Sequence, residues 1–440
     1  MTFVTRVMPG LRETVMKNFV IVIIVTMWVA IGCIVMNTSA SAETFAYLSY
    51  EDGKIVPYKI VNGVFSAVNV NEIKVGKAQS RLASDFSGQL VYVSDLSGAI
   101  SCFTVSENGA LGNSKKNETD IKDYLSECIV DPSGKYLYVA VSGHNEDNIS
   151  GGKVAQFSIQ PDGALKSMDP AFVESGCAPN RLAFNPSGKY LYVGHHGGSG
   201  GILGYVVGAD GKLTPMPADY TSGLINDCTE MTMTSDGAYL LVGDDRDLKL
   251  KCCSVDSKGR LAVTSIASFP EGFDMGGIMS VAVDSFGNVM IITPSRYLST
   301  YKIDNGTLLP NGEFMCLKDG RFLTKDNMDG YIKGTNEYAQ AFEKRAKLES
   351  DERELYSLMA TYHGLCSQLQ AVRVGSDGPV YVLSTSGVYR FQSTKDGIVP
   401  SGPAITWPDT LDTIRNRSLP TSTRNAVKPR VGGMTIVERK

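Results

Sequence analysis

Charged side chains recur at one position of a repeated sequence pattern. Counting seven residues back from successive turn glycines reaches a polar side chain in five copies of the pattern. These side chains are Arg81, Glu127, Arg181, Glu230 and Ser280, and Arg430 holds a similar place near the C-terminus. A guanidinium suits a carboxylate or phosphate because it offers two parallel hydrogen bonds, and a glutamate can act as a general base. The pattern therefore indicates a site for a small anion.

Histidines and further charges lie in loops that follow the next strand of two copies. One loop begins Gly194-His195-His196, and another reads Gly243-Asp244-Asp245-Arg246. Because the start of one antiparallel strand lies beside the end of its partner, we expect these loops at the same edge as the recurring charges. The candidates for proton transfer are His195, His196 and Glu230. The candidates for substrate binding are Arg81, Glu127, Arg181, Arg430, Asp245 and Arg246.

The same charges also permit a purely structural interpretation. Charged groups at the first position of an inner strand are costly unless they are paired or solvated. Three arginines and two glutamates could therefore form ion pairs between neighbouring repeats without any catalysis. The sequence contains no P-loop, no HExxH and no paired CxxC, so we expect neither a metal nor an organic cofactor.

A repeat of about fifty residues must position these groups. Residues 126–139 and 180–193 share the run Pro-Ser-Gly-Lys-Tyr-Leu-Tyr-Val. The turn glycines, at intervals of 46, 54, 49, 50 and 91 residues, are Gly88, Gly134, Gly188, Gly237, Gly287 and Gly378. Further strands joined by Asn-Gly or Asp-Gly turns follow each copy, so one unit holds four short strands. Four-stranded units with this period are typical of β-propeller blades.

The count of blades is seven, and the chain ends suggest how the ring closes. Residues 45–63 match the second and third strands of a blade that lacks its innermost strand. Residues 429–437 resemble an isolated innermost strand. We expect this strand to complete the first blade, because closure removes two exposed sheet edges. The alternative is a frayed C-terminal tail.

The interval of 91 residues contains an insertion near the last blade, residues 317–365. Its apolar residues recur at helical spacing among many charges, which predicts one or two amphipathic helices. The apolar side is expected to pack on the propeller, and binding of a partner is the alternative. The predicted fold is thus an all-β, seven-bladed β-propeller with a helical insertion.

Two pairs of cysteines are candidates for disulfides. Cys316 and Cys366 bracket the insertion, whose ends must return to the same blade and so bring the two sulfurs near each other. Cys177 and Cys228 form a second, weaker pair. The competing interpretation is that all four thiols stay reduced and fill space in the core, as we expect for Cys102, Cys252 and Cys253.

The first 42 residues have the layout of an export signal. Arg6, Arg12 and Lys17 precede an apolar run over residues 19–36, and Ala40 and Ala42 are spaced as at a cleavage site. We expect cleavage after Ala42 and a periplasmic or extracellular protein. The alternative is a retained membrane anchor, because the apolar run is just long enough to span a bilayer.

Charge and composition restrict the class of partner. The 440 residues include 42 basic and 46 acidic side chains, for a net charge of −4, which argues against a nucleic-acid binder that works by bulk charge. Hydrophobic residues make up 43 %, enough for a large core. We expect a monomer whose partner is a small anionic substrate or a protein of the cell envelope.

The Pro-Ser-Gly-Lys-Tyr-Leu-Tyr-Val run, with Asn/Asp-Gly-x-Leu after the third strand, resembles the seven-bladed lactonase family. That family includes 6-phosphogluconolactonases of one type and related carboxymuconate cycloisomerases. The similarity covers most of residues 43–316 and 367–440. The resemblance implies a site of Arg, Glu and His at one mouth of the propeller's central channel. Such a site would hydrolyse or isomerise a small carboxylated lactone or sugar acid. The alternative is a non-catalytic propeller that binds or scaffolds a partner in the envelope.

Overall fold

The computed structural model describes most of the chain after the predicted export segment. The described residues are 43–50, 53–68, 73–75, 81–85, 87–94, 98–112, 115–117, 121, 123–142, 151–196, 201–268, 278–292, 297–316, 321–324, 327, 369–375, 378–384, 387–406 and 431–439. The predicted export segment, Arg430, Cys366 and nearly all of the insertion lie outside them. Among the described residues, no helix has the length and apolar character that a membrane span requires.

Thirty strands and one 3₁₀ turn (Ala218–Tyr220) make up the regular structure of the described residues. Blade 1 contains β1 (Glu43–Tyr50), β2 (Lys54–Val61), β3 (Val64–Ala67), β4 (Ile73–Lys74) and the C-terminal β30 (Val431–Arg439). Blade 2 contains β5 (Arg81–Ser84), β6 (Leu90–Ser94), β7 (Ile100–Thr104) and β8 (Lys115–Asn117). Blade 3 contains β9 (Tyr124–Val130), β10 (Tyr136–Ser142), β11 (Lys153–Ile159) and β12 (Leu165–Glu174).

The remaining four blades repeat the same antiparallel order. Blade 4 contains β13 (Pro179–Phe184), β14 (Tyr190–His195), β15 (Gly201–Val207) and β16 (Leu213–Pro215). Blade 5 contains β17 (Cys228–Met233), β18 (Tyr239–Asp244), β19 (Lys249–Val255) and β20 (Leu261–Ser268). Blade 6 contains β21 (Ser280–Val283), β22 (Asn288–Ile292), β23 (Tyr297–Asp304), β24 (Thr307–Cys316) and β25 (Phe322–Thr324). Blade 7 contains β26 (Leu369–Val374), β27 (Pro379–Ser384), β28 (Gly387–Thr394) and β29 (Gly397–Thr406).

The seven sheets form a closed ring around their innermost strands. The innermost strands contact one another in the unbroken cycle β5, β9, β13, β17, β21, β26, β30 and back to β5. In blade 1 the strand order is β3-β2-β1-β30, so the C-terminal strand completes the first blade as predicted. Met434 packs in an apolar cluster shared with blade 7, and Val437 in one shared with blade 2. The ring is therefore closed by side-chain packing as well as by hydrogen bonds.

A side-chain cap shapes the turn between the first two strands of most blades. In blade 3, Asp131 Oδ1 accepts hydrogen bonds from the backbone N–H groups of Lys135 and Tyr136, both at 2.8 Å. Gly134 has a φ of 72°, a conformation that glycine adopts without strain. All six turn glycines identified from the sequence have positive φ, which explains why the repeat retains them.

Buried tyrosines of the second strand link consecutive blades. Each hydroxyl donates to the carbonyl of the glycine in the next blade's turn between its third and fourth strands. These bonds run from Tyr47 to Gly109 (2.9 Å), Tyr92 to Gly163 (3.1 Å), Tyr138 to Gly211 (2.5 Å) and Tyr192 to Gly259 (2.8 Å). A Cβ atom at Gly211 would lie 2.4 Å from the ring of Tyr136, two residues before Tyr138 in the same strand, so that ring packs directly on the turn. At this boundary the turn is therefore held by the Tyr138 hydroxyl and by close packing of Tyr136 on the glycine.

The described start of the insertion is a strand rather than a helix. Strand β25 pairs with β24 and adds a fifth strand to blade 6. Its Phe322 ring packs edge-on against Phe391 and Tyr389 of blade 7, at centroid distances of 4.8 and 5.1 Å. The predicted amphipathic helices lie in the part of the insertion outside the described residues.

The cysteines of the described blades act as small apolar residues. Cys102, Cys252 and Cys253 are buried, as predicted. The weaker disulfide pair was wrong, because Cys177 and Cys228 are not bonded to each other. The Cys228 sulfur is instead enclosed beneath Gly194, where a Cβ atom would approach it to 2.4 Å. The pair Cys316 and Cys366 stays a prediction, since Cys366 lies outside the described residues.

We predict that Tyr138→Phe lowers the free energy of unfolding by about 1–2 kcal/mol, because the buried Gly211 carbonyl loses its donor. Urea denaturation followed by fluorescence measures the change. Tyr301→Phe is the matched control, since that ring is also buried but no hydrogen bond of its hydroxyl is found within the described residues. Equal loss of stability in both variants would contradict a role for the interblade hydroxyl.

Candidate functional site

Four of the sequence-predicted charged residues meet on the inner strands of blades 2 to 5. Arg81 opens β5, and Glu127, Arg181 and Glu230 lie in β9, β13 and β17. Arg181 forms an ion pair with Glu230 across the blade boundary, and both side chains are largely buried, at 12 % and 15 % exposure. Glu127 and Glu230 both act electrostatically on Arg81. The recurring position in the repeat thus becomes one cluster of charge at the ring axis.

Irregular pairing at the start of several innermost strands affects where these side chains point. The pairing register shifts at the start of the innermost strand in blade 4, between Pro179 and Arg181, and in blade 5, between Cys228 and Glu230. Similar shifts occur in blades 3 and 7. A bulge leaves one residue of the strand unpaired and re-aims the next side chain. The bulges in blades 3, 4 and 5 therefore re-aim Glu127, Arg181 and Glu230, whereas Arg81 and Ser280 lie in strands without a register shift.

The recurring position accepts a backbone hydrogen bond from the next blade in two places. Glu127 Oε2 accepts from the N–H of Leu182 at 2.6 Å, and Ser280 Oγ accepts from the N–H of Val372 at 3.2 Å. Leu182 and Val372 occupy equivalent positions, one residue past the bulge. Part of the recurring pattern is therefore structural, because it satisfies an inner-strand amide that the blade itself leaves free.

A fifth charge, Arg373, was missed by the sequence analysis. Counting seven residues back from Gly378 reaches Ala371, whereas Arg373 lies two residues further along β26 and so on the same side of the strand. Its Nε donates to the Met434 carbonyl at 3.1 Å, and its Nη1 donates to Ser280 Oγ at 3.2 Å. The charges of Glu230 and Glu127, on the far side of the ring, act to raise the pKa of Arg373. Searching for arginine anywhere in the innermost strand would have found it.

The cluster, Arg81, Arg181, Arg373, Glu127 and Glu230, carries one more positive than negative charge. Burial lowers the pKa of Arg81 and of Arg373, with the two glutamates opposing the shift. For Arg181, burial also lowers the pKa, but the ion pair with Glu230 outweighs it and the net direction is upward. Arg181 Nε is buried and makes no hydrogen bond within the part of the chain that the structure describes. The site therefore has cationic character to offer an incoming anion.

Glu127 is the cluster's candidate for proton transfer. Burial raises its pKa above the ordinary value, and Arg181 and Arg81 offset this only in part. Its Oε1 makes no hydrogen bond to any described residue, while Oε2 is held by Leu182. A carboxylate with a raised pKa and an oxygen without a protein partner is suited to accept a proton from water.

The two histidines have different environments. His195, at the end of β14, is only 3 % exposed, and burial lowers the pKa of its ring. Its Nε2 lies 3.0 Å from Ser175 Oγ, in the link between blades 3 and 4, and its Nδ1 lies 3.4 Å from the Gly201 carbonyl, so both nitrogens have protein partners. His195 thus has the contacts of a buried structural histidine. The side chain of His196 is 54 % exposed, and its Nδ1 lies 2.8 Å from Asp227 Oδ1.

The predicted binding residues Asp245 and Arg246 follow β18 on the same edge as His196. The segment before β17 is fixed there by Asp244, which accepts from the N–H groups of Asn226 (2.9 Å) and Asp227 (3.2 Å). Lys251 Nζ in turn donates to Asp244 at 2.7 Å. The edge is therefore held by a buried ion pair that the sequence analysis did not identify. Arg430 lies outside the described residues.

We predict a pH-dependent contribution of Glu127 to stability. The folded state holds its proton more tightly than the unfolded chain, so stability is greatest below the ordinary pKa of 4.5 and falls as pH rises toward the folded pKa. Glu127→Gln keeps an acceptor for Leu182 and removes this titration. Its melting temperature should therefore fall less than that of the wild type between about pH 4 and pH 7. Parallel melting curves for the two proteins would contradict the raised pKa.

Comparison with known proteins agrees with the fold. Residues 88–226 match the family described as lactonase, 7-bladed beta-propeller, whereas no curated protein matches the sequence significantly. The solved periplasmic gluconolactonase PpgL of Pseudomonas aeruginosa is 17 % identical over 64 % of this chain and 85 % of its own, with a TM-score of 0.50. A protein from Lactobacillus plantarum is 12 % identical over 83 % of this chain and 97 % of its own, with a TM-score of 0.54. The resemblance inferred from the repeats is confirmed: this chain is a seven-bladed β-propeller, and its residues 88–226 match the sequence model of the lactonase family.

Proposed function

We propose that this protein is an exported lactonase that opens a small lactone of a sugar acid at the charge cluster. The observation that carries the proposal is the concentration of three guanidinium groups and two carboxylates on five of the seven innermost strands, with a net positive charge. A lactone ring opens to a carboxylate, so both the transition state and the product are anionic. The excess positive charge is therefore of the sign that favours the reaction.

The residues divide the chemistry between them. Glu127 takes a proton from a water molecule as the water oxygen bonds to the lactone carbonyl carbon. Arg81 and Arg373 lie on the innermost strands where they stabilise the resulting oxyanion. The ring C–O bond then breaks, and the leaving oxygen receives the proton from Glu127. Arg181 and Glu230 form an ion pair, and this pair positions the side chains of the other two arginines.

Two further facts support the substrate class and the compartment. The solved relative from Pseudomonas aeruginosa is named as a periplasmic gluconolactonase. The first 42 residues of this chain have the layout of an export signal. Export would place the enzyme outside the cytoplasm. A sugar lactone without a phosphate group is then a better candidate substrate than a phosphorylated one, because sugar phosphates are cytoplasmic metabolites.

The observation that favours a second function, binding without turnover, is the mutual pairing of Arg181 with Glu230. If the remaining arginines and Glu127 are also used in contacts between blades, the cluster has a structural role. A small anion could then bind at its positive charge without being hydrolysed. Activity and binding must therefore be measured separately.

We predict that the wild-type protein hydrolyses glucono-δ-lactone or a related aldonolactone and that Glu127→Gln lowers kcat by about 100-fold or more, because the general base is lost. Arg81→Lys keeps the charge but loses the planar fork, and should lower kcat/KM by about tenfold. A pH-stat assay measures the acid released.

Arg260→Ala is the matched control for loss of an arginine, because Arg260 is 51 % exposed and pairs with Asp219 on the outer part of the propeller. Its activity should equal that of the wild type. Calorimetry with the product acid tests the second function. Binding that Arg81→Lys weakens, without hydrolysis of any lactone in the panel, would replace the enzyme by a binding protein.

A further inference from the structure

We propose that His196, Asp227 and Asp245 form a binding site for one divalent transition-metal ion, of the Zn²⁺ or Mn²⁺ class. The three residues lie at the junction of blades 4 and 5, just after β14, just before β17 and just after β18. None belongs to the charge cluster, and their sequence positions follow no metal-binding motif. The site goes beyond the proposed lactonase activity and does not depend on it.

The three side chains converge to ligand distances. One donor atom from each lies within 4.8 Å of the other two, and His196 Nδ1 is 2.8 Å from Asp227 Oδ1. For metal bonds of about 2.1 Å, neighbouring ligand atoms are about 3 Å apart and opposite ones about 4.2 Å. His196 and Asp227 already have the separation of neighbouring ligands, and the exposed His196 ring has room to turn toward an ion.

Asp245 supplies an independent indication of a missing partner. Its Oδ1 is buried and makes no hydrogen bond to any of the described residues. A buried carboxylate oxygen without a partner is costly, and native structures rarely keep one without a reason. A cation held between Asp245, Asp227 and His196 would satisfy this oxygen.

Backbone hydrogen bonds fix the segments that carry the three side chains before any ion binds. The Asp245 N–H donates to the Asp227 carbonyl at 2.9 Å, and the Asp227 N–H donates to the buried Asp244. Lys251 holds Asp244 through its ion pair. The His196 N–H donates to the Ala178 carbonyl at 3.1 Å. Because little order has to be gained on binding, the site is preorganised in the way that metal sites require.

Charge and ligand type select the kind of ion. Two carboxylates and a neutral imidazole carry a charge of −2, which a divalent cation neutralises. An imidazole nitrogen disfavours Ca²⁺ and Mg²⁺, which take oxygen ligands, and suits Zn²⁺ or Mn²⁺. The exposed His196 leaves coordination positions open to water and a path for the ion to enter.

The test is calorimetric titration of the chelator-treated, full-length protein with Zn²⁺ and, separately, with Mn²⁺. We expect one ion per chain for at least one metal, and a higher melting temperature in its presence because the ion binds the folded state and joins two blades. Asp245→Asn and His196→Ala should each weaken binding at least tenfold. Asp210→Asn removes the same charge at a 61 % exposed turn position and should bind like the wild type.

His196→Ala keeps the test decisive if Asp245→Asn fails to fold, since His196 is mostly exposed and its loss should leave the blade intact. Absence of saturable binding of either ion by the wild type would overturn the proposal. Equal affinity in the wild type and in His196→Ala would also overturn it. Lactone hydrolysis by a protein that binds no metal would leave the proposed function standing while removing this site.

Discussion

Closure of the ring by the C-terminal strand is the constraint on which the rest of the structure depends. β30 pairs with β1 and contacts both β26 and β5, so the last residues of the chain complete the first blade. Without this strand, β1 and two blade faces would present unpaired backbone groups and apolar side chains to water. The seven innermost strands are held around one axis because the first and last described strands, β1 and β30, share a sheet.

The closed ring makes a buried charge cluster possible. Five charged side chains on innermost strands would each lose hydration, a cost that opposite charges and hydrogen bonds must offset. Arg181 and Glu230 meet across one blade boundary, and Glu127 accepts from Leu182 across another. Both contacts join consecutive blades, so their geometry depends on how the blades pack. The same arrangement that offsets desolvation also concentrates positive charge where an anion can approach.

Two kinds of polar group therefore sit at one end of the propeller. The charge cluster lies on the innermost strands, whereas His196, Asp227 and Asp245 lie in the adjoining loops of blades 4 and 5. The Asp244–Lys251 ion pair positions the loop residues, and bulges position Glu127, Arg181 and Glu230 of the cluster. Rigid strands thus carry the first set and anchored loops the second, which is the common division between a propeller scaffold and its variable edge.

Local features were readable from the sequence alone. The turn glycines, the strand repeats, the seven-blade count and the closing strand follow from short-range turn chemistry and periodicity. The shared edge of Arg181, Glu230 and His196 follows from antiparallel pairing.

Packing between distant residues decided which of the candidate side chains contact one another. Arg373 joins the cluster because the closed ring brings it within electrostatic reach of Glu127 and Glu230. The burial of His195 depends on Ser175 and Gly201, and the approach of Asp227 to His196 depends on how blade 5 docks on blade 4. Such contacts join residues that are far apart along the chain or on different strands, and only the folded ring specifies them.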